Sequence, residues 1–189
     1  MKKIFIASCI ASSLLITGVA LAADQNAASG KITFNGALVD NTCKVVVDNQ
    51  TNNATVTLPT ISVNQLTGAA GKVAGRTGFN IALSDCTGTT LKGAQAYFEE
   101  NSTTVDLTTG RLKNTSTSGA NNTSLQLLDA SNSDEVINVG NSEQLSKTTY
   151  VDIASGTATL PYAVQYYAET AAPTQGLVNS YVFYSIAYN

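Results

Sequence analysis

The sequence predicts an all-β sandwich, and three observations carry that reading. Apolar residues recur at every second position over short runs, the runs are rich in Val, Ile, Thr, Tyr and Phe, and clusters of Asn, Gly, Ser and Thr separate them. A period of two places alternate side chains on one face of a strand, so each run buries one face and exposes the other. Helical spacing is confined to one short candidate, Glu143 to Lys147. Charged residues make up 12% of the 189-residue chain, against about 25% in average domains, so its polarity comes from neutral groups. With 43% apolar content and a net charge of −3, the chain can bury a core, which argues against disorder.

The first segment, residues 1–22, stands outside the fold as a signal peptide. Met1-Lys2-Lys3 is a short basic start, Ile4 to Ala20 is apolar, and Ala20-Leu21-Ala22 is a small-x-small cleavage site of the secretory type. A membrane anchor would need about 20 apolar residues, and this stretch is shorter and broken by Ser12, Ser13, Thr17 and Gly18. Cleavage leaves 167 residues, enough for one domain, and the loss of Lys2 and Lys3 takes the net charge from −3 to −5. Cys9 leaves with the signal, so the mature chain holds Cys43 and Cys86 only.

Export into an oxidising compartment predicts one disulfide between these two. The competing reading is a redox pair, which usually needs Cys-x-x-Cys spacing, and a separation of 43 residues favours the staple. Such a loop closure is worth on the order of 4 kcal/mol in the chain-entropy model.

After a small, polar arm from Ala23 to Gly30, the run Lys31 to Val39 alternates through Ile32, Phe34 and Leu38. Gly36 falls on the same apolar face with no side chain. A strand glycine marks either a bulge or a place where another group comes close. Val45 and Val47 make the next run, then Val56 and Leu58, then Phe79, Ile81 and Leu83. Ala94, Ala96 and Phe98 follow, then Leu125 and Leu127, then the long stretch from Thr157 to Ala168. Between them, residues 114–124 read as an exposed loop with no part in the core. The last run, Val182, Tyr184, Ile186 and Tyr188, stops one residue before the end, so no later segment is left to pair its outer edge. Edges are normally blunted by charge or proline, and Tyr181 to Asn189 contains neither.

Composition excludes several functions. Without histidine there is no Ser-His-Asp or Cys-His nucleophile system and no imidazole metal site, so neither an enzyme nor a cofactor or metal centre is expected. A pI near 4.8 lacks the basic field that nucleic acid requires. The adjacent acids Glu99-Glu100 and Asp134-Glu135 would point to opposite faces of a strand, which does not suit paired acid and base work.

The order Gly30-Lys-Ile-Thr-Phe-Asn-Gly36, with Cys43 seven residues on and then Phe79-Asn-Ile-Ala-Leu-Ser-Asp-Cys86, resembles the major, type 1-like pilin subunits of chaperone–usher fimbriae. The C-terminus is similar to that family's motif: Tyr188 is penultimate, Ile186, Tyr184 and Val182 stand fourth, sixth and eighth from the end, and Gly176 stands fourteenth.

The resemblance implies an incomplete immunoglobulin-like sandwich that lacks its final strand and is completed in trans by a donor strand. Residues 23–36, running on to about 39, would be the donor extension, with Ile32, Phe34, Gly36 and Leu38 as its inserting face, and 37–189 the pilin domain. Val182, Tyr184, Ile186 and Tyr188, with Gly176 upstream, would form the acceptor and chaperone-binding edge. The implied partners are copies of itself or related subunits, a periplasmic chaperone and an outer-membrane usher, and the implied destination, through the periplasm, is a cell-surface fimbria supporting adhesion. The alternative within the same pathway is a minor adaptor or an adhesive, carbohydrate-binding sandwich.

Overall fold

The computed structural model describes residues 31–36, 38, 42–88 and 90–189. The signal peptide, the arm to Gly30, and Val39 lie outside the described residues. Two compact units divide the chain, Met1–Ala37 and Leu38–Asn189. In the first, residues 31–36 carry no strand pairing, and Ile32 and Phe34 are exposed.

The second unit is all-β, as the alternation predicts. Its elements in chain order are β1 (Thr42–Val47), a 3-10 turn at Val63–Gln65, β2 (Val73–Thr87), β3 (Gly93–Phe98), β4 (Val105–Asp106), β5 (Arg111–Lys113) and β6 (Thr123–Asp129). They continue with β7 (Glu135–Ile137), α1 (Gln144–Lys147), β8 (Val151–Asp152), β9 (Ala158–Ala168) and β10 (Tyr184–Tyr188). The larger sheet runs β1-β2-β9-β6-β5-β4 with β7 on β6, and the smaller runs β10-β3-β8. Every ladder between these strands is antiparallel.

Register explains the core. Ile81 pairs with Leu160, and Leu127 with Val164, so the apolar parities of β2, β6 and β9 fall on one face. That face meets Ala94, Ala96 and Phe98 of β3, all buried. The two alanines leave room for Tyr162, whose ring packs edge-on to Phe98 at 5.1 Å and tilted against Phe79 at 5.8 Å. Its hydroxyl accepts a hydrogen bond from the Ala96 N–H at 2.8 Å.

Cys43 and Cys86 are joined, tying β1 to β2 with their Cα atoms 4.1 Å apart, so the pair is the staple that export predicts. Glu143 to Lys147 becomes α1 and its N-cap.

Two runs differ from the sequence reading. Val56 and Leu58 alternate and pack half-buried on the core, yet no ladder forms there. Alternation reports which side faces the core, whereas a strand also needs a partner. Residues 114–124 are not a free loop either. Thr123 and Ser124 open β6 and are buried, as is Ala120. Asn114 pins the rest: its Nδ2 donates to the carbonyls of Ala120 at 2.9 Å and Leu177 at 2.8 Å, and its Oδ1 accepts from the N–H of Ser116 and of Asn179. A side-chain amide can stand in for a missing ladder partner, and composition alone cannot reveal that.

Candidate functional site

β1 is an edge of the larger sheet and β10 an edge of the smaller, and among the described residues no strand pairs with the outer side of either. A groove runs between these two edges. One cavity in it, of about 680 Å³, is walled by Cys43 to Val46 on one side and Val182 to Ile186 on the other. A second, of about 410 Å³, shares Asn52, Asn53, Val182, Phe183 and Tyr184 with the first. It extends inward to Phe79, Ile81, Phe98, Leu125 and Leu127, so the seam opens into the middle of the sandwich.

The wall on the smaller sheet follows directly from its alternation. Val182, Tyr184, Ile186 and Tyr188 are half-buried against the core, and Phe183 and Ser185 between them face out. Two tyrosines reach across. The Tyr184 hydroxyl donates to the Asn52 carbonyl at 2.8 Å, and Tyr188 hydrogen-bonds to the Cys43 backbone. Burial raises both phenols above the ordinary tyrosine range, in Tyr188 partly offset by that bond. Chemically, the groove offers a wall whose apolar side chains turn inward at every second position, beside two strand edges that can bond more backbone. Such a site takes an extended segment, with main-chain bonds for affinity and alternate side chains for specificity.

Not every residue singled out by sequence lies here. Val182, Tyr184 and Ile186 line the groove, with Val182 just ahead of β10, and Tyr188 sits beside Cys43. Gly176 does not line it. It packs on Gly119 and Ala120, and a Cβ added there would lie 2.5 Å from the Ala120 nitrogen. Its glycine serves close backbone approach in the segment that leads into β10. Ile32 and Phe34 are exposed in the first unit, and a Cβ at Gly36 would meet nothing within 4 Å. Leu38 is exposed as well. Sequence reading missed the opposite wall. The alternation of Val45 and Val47 marks β1, whereas Asn52 contributes a carbonyl, for which no side chain gives a signal.

A family model described as type-1 fimbrial protein, A, matches residues 58–189. The chain is 45% identical over 179 residues to the F17 fimbrial protein of Escherichia coli, covering 92% of this chain and 96% of that one. It is 44% identical over 167 residues to the major fimbrial subunit SMF-1 of Stenotrophomonas maltophilia, covering 87% and 95%. Among solved structures, the antigen and type I fimbria protein BPSL1626 of Burkholderia pseudomallei is similar with a TM-score of 0.54 at 25% identity, over 78% of this chain and 95% of that one. The P pilus rod subunit PapA shares the fold, with a TM-score of 0.50 at 18% identity, over 85% of this chain and 100% of that one.

Proposed function

Belonging to the type-1 fimbrial protein A family, this chain is a structural subunit of a cell-surface fimbria and not an enzyme, and we propose that it polymerises by donor-strand exchange. The observation that carries the mechanism is the groove, open to the core, between edges of β1 and β10 that no strand among the described residues pairs. In this reading residues 1–22 direct export and are removed, and a periplasmic chaperone first lends a strand to the groove. At the outer-membrane usher the extension of the next subunit then replaces it.

The donor face is Ile32, Phe34, Gly36 and Leu38. Its large side chains are exposed in the described chain, so insertion gains their full burial. At about 1.5–3 kcal/mol each, three side chains give roughly 5–9 kcal/mol before the entropy of ordering the extension. A head-to-tail contact whose rotation does not close a ring repeats into a filament, as a fimbria requires. Similarity to a protein named as a major fimbrial subunit favours a place in the shaft.

The test is competition. A synthetic peptide spanning Gly30 to Val39, added in excess to the mature chain, should occupy the groove and stop fibre growth seen by electron microscopy. Fibres that grow to normal length at saturating peptide would overturn the mechanism.

A further inference from the structure

We infer that Asn35-Gly36 is a self-modification site that ends the donor activity of a subunit left unassembled, with water as the only co-reactant. The inference rests on the donor-strand reading and adds a chemical control to the extension. Asn35-Gly36 is the one Asn-Gly pair in the sequence. Both residues are exposed, residues 31–36 carry no strand pairing, and a Cβ at Gly36 would meet nothing within 4 Å. Three asparagines that precede serine are held instead. A side-chain atom of Asn101, Asn132 and Asn141 is hydrogen-bonded to the Thr103 N–H, the Lys147 carbonyl and the Glu143 N–H respectively.

The chemistry follows from the pair. An asparagine amide lies within reach of the next residue's nitrogen, and glycine, having no Cβ, lets that nitrogen approach. The Gly36 nitrogen forms a bond to Cγ of Asn35 and the bond from Cγ to Nδ2 breaks. The Gly36 proton leaves with the amide as ammonia, and a five-membered imide closes. Water then opens the ring. Addition at Cγ restores the ordinary main chain with aspartate at position 35. Addition at the main-chain carbonyl routes the chain through Cγ as isoaspartate and frees the α-carboxylate. Nothing is oxidised or reduced.

The two products differ in what they do to a donor strand. Asn35 falls between Phe34 and Gly36, off the parity of the inserting face, so an aspartate there turns away from the groove. Isoaspartate lengthens the main chain by one methylene. Gly36 and Leu38 then fall out of step with Ile32 and Phe34, and register decides where every inserting side chain goes. Assembly itself arrests the reaction, because closing the imide takes the torsion about the Asn35 Cα–C bond away from the extended value of about +135° that a ladder holds. A paired donor is preserved, and an unpaired extension ages.

The experiment keeps the full mature chain below the concentration at which it assembles and, in parallel, as finished fibres, both at mildly alkaline pH. Peptide mapping reads isoaspartate at position 35, and each chain's assembly rate after ageing is compared with its own rate before. Isoaspartate should accumulate in the free chain at least roughly tenfold faster than in fibres, where the ladder must first open. The assembly rate of the aged chain should fall in proportion to the modified fraction. Its binding of freshly made Gly30 to Val39 peptide, which reports the groove, should stay at the starting value. Treatment with an isoaspartate methyltransferase and its methyl donor, which returns isoaspartate to aspartate, should restore the rate. Asn35→Gln, whose ring would be larger, should keep its own starting rate. An aged free chain with Asn35 unmodified, equal modification in free chain and fibres, or isoaspartate without loss of assembly overturns the inference. If the fresh chain neither binds the peptide nor assembles, the donor-strand reading has failed and the inference falls with it.

Discussion

Gln144 brackets Phe98: its Nε2 donates to the Phe98 carbonyl at 2.9 Å while its Oε1 accepts from the Phe98 N–H at 3.0 Å. The smaller sheet needs this because β8 pairs with Gly93 and Ala94, and among the described residues no strand pairs with the rest of that edge of β3. The Tyr162 hydroxyl accepts from the Ala96 N–H. One edge of the smaller sheet is thus sealed by side chains, and the other, β10, is left to the groove.

Gln144→Ala should therefore cost about 2–3 kcal/mol, since Gln144 is buried and its loss strands the Phe98 N–H away from water. The Phe98 carbonyl keeps its bond from the Gly140 N–H, which limits the loss. A lower urea midpoint at constant m-value is the expected signature. A change below about 0.5 kcal/mol would mean that water replaces the amide.

Tyr162 should set an alkaline limit. Burial, partly opposed by the bond from the Ala96 N–H, pushes its phenol up from 10.0 to about 12. A group whose folded pKa is raised contributes stability that is fully present below the unfolded pKa and is lost as pH climbs. The window is therefore between 10.0 and about 12, and the contribution is on the order of 3 kcal/mol. Of the 8 tyrosines, Tyr162 should ionise near the upper end of that window in a spectrophotometric titration, together with unfolding. In Tyr162→Phe this contribution should be missing from the alkaline limb. The variant should also be less stable at neutral pH by about 1–3 kcal/mol, because the Ala96 N–H loses its acceptor.

The sequence reveals these features unequally, for physical reasons. Alternation made the core strands readable, because register multiplies one parity across β2, β6 and β9 into a single face. It also marked the groove wall, since Val182, Tyr184 and Ile186 turn inward whether the side beyond them is filled or open. It could not show that Gln144 or Asn114 replaces a ladder partner, because a glutamine or asparagine in a polar stretch looks the same whether it bonds water or backbone. Gly176 shows the converse. Its spacing from the C-terminus resembles a family motif, yet what holds it is a backbone 57 residues earlier at Gly119, and no local pattern encodes that approach.

If the proposed donor face is right, substitution at Gly36 should separate folding from assembly. A side chain added there meets nothing within 4 Å in the described chain, so Gly36→Asn should leave stability within about 0.5 kcal/mol of the parent. Its groove is also untouched, and the Gly30 to Val39 peptide should bind it normally. In the proposed donor-strand exchange, donation is where the substitution should act, because a side chain forced into a packed groove would cost roughly 1–3 kcal/mol and displace the flanking Phe34 and Leu38. The variant should then accept a strand but fail to give one. Mixed with the parent chain, it should end each fibre it joins, so mean fibre length by electron microscopy should fall steeply as its fraction rises. A variant that binds peptide, folds normally and still yields fibres of parental length would show that Gly36 is an ordinary strand glycine with no close neighbour in the filled groove.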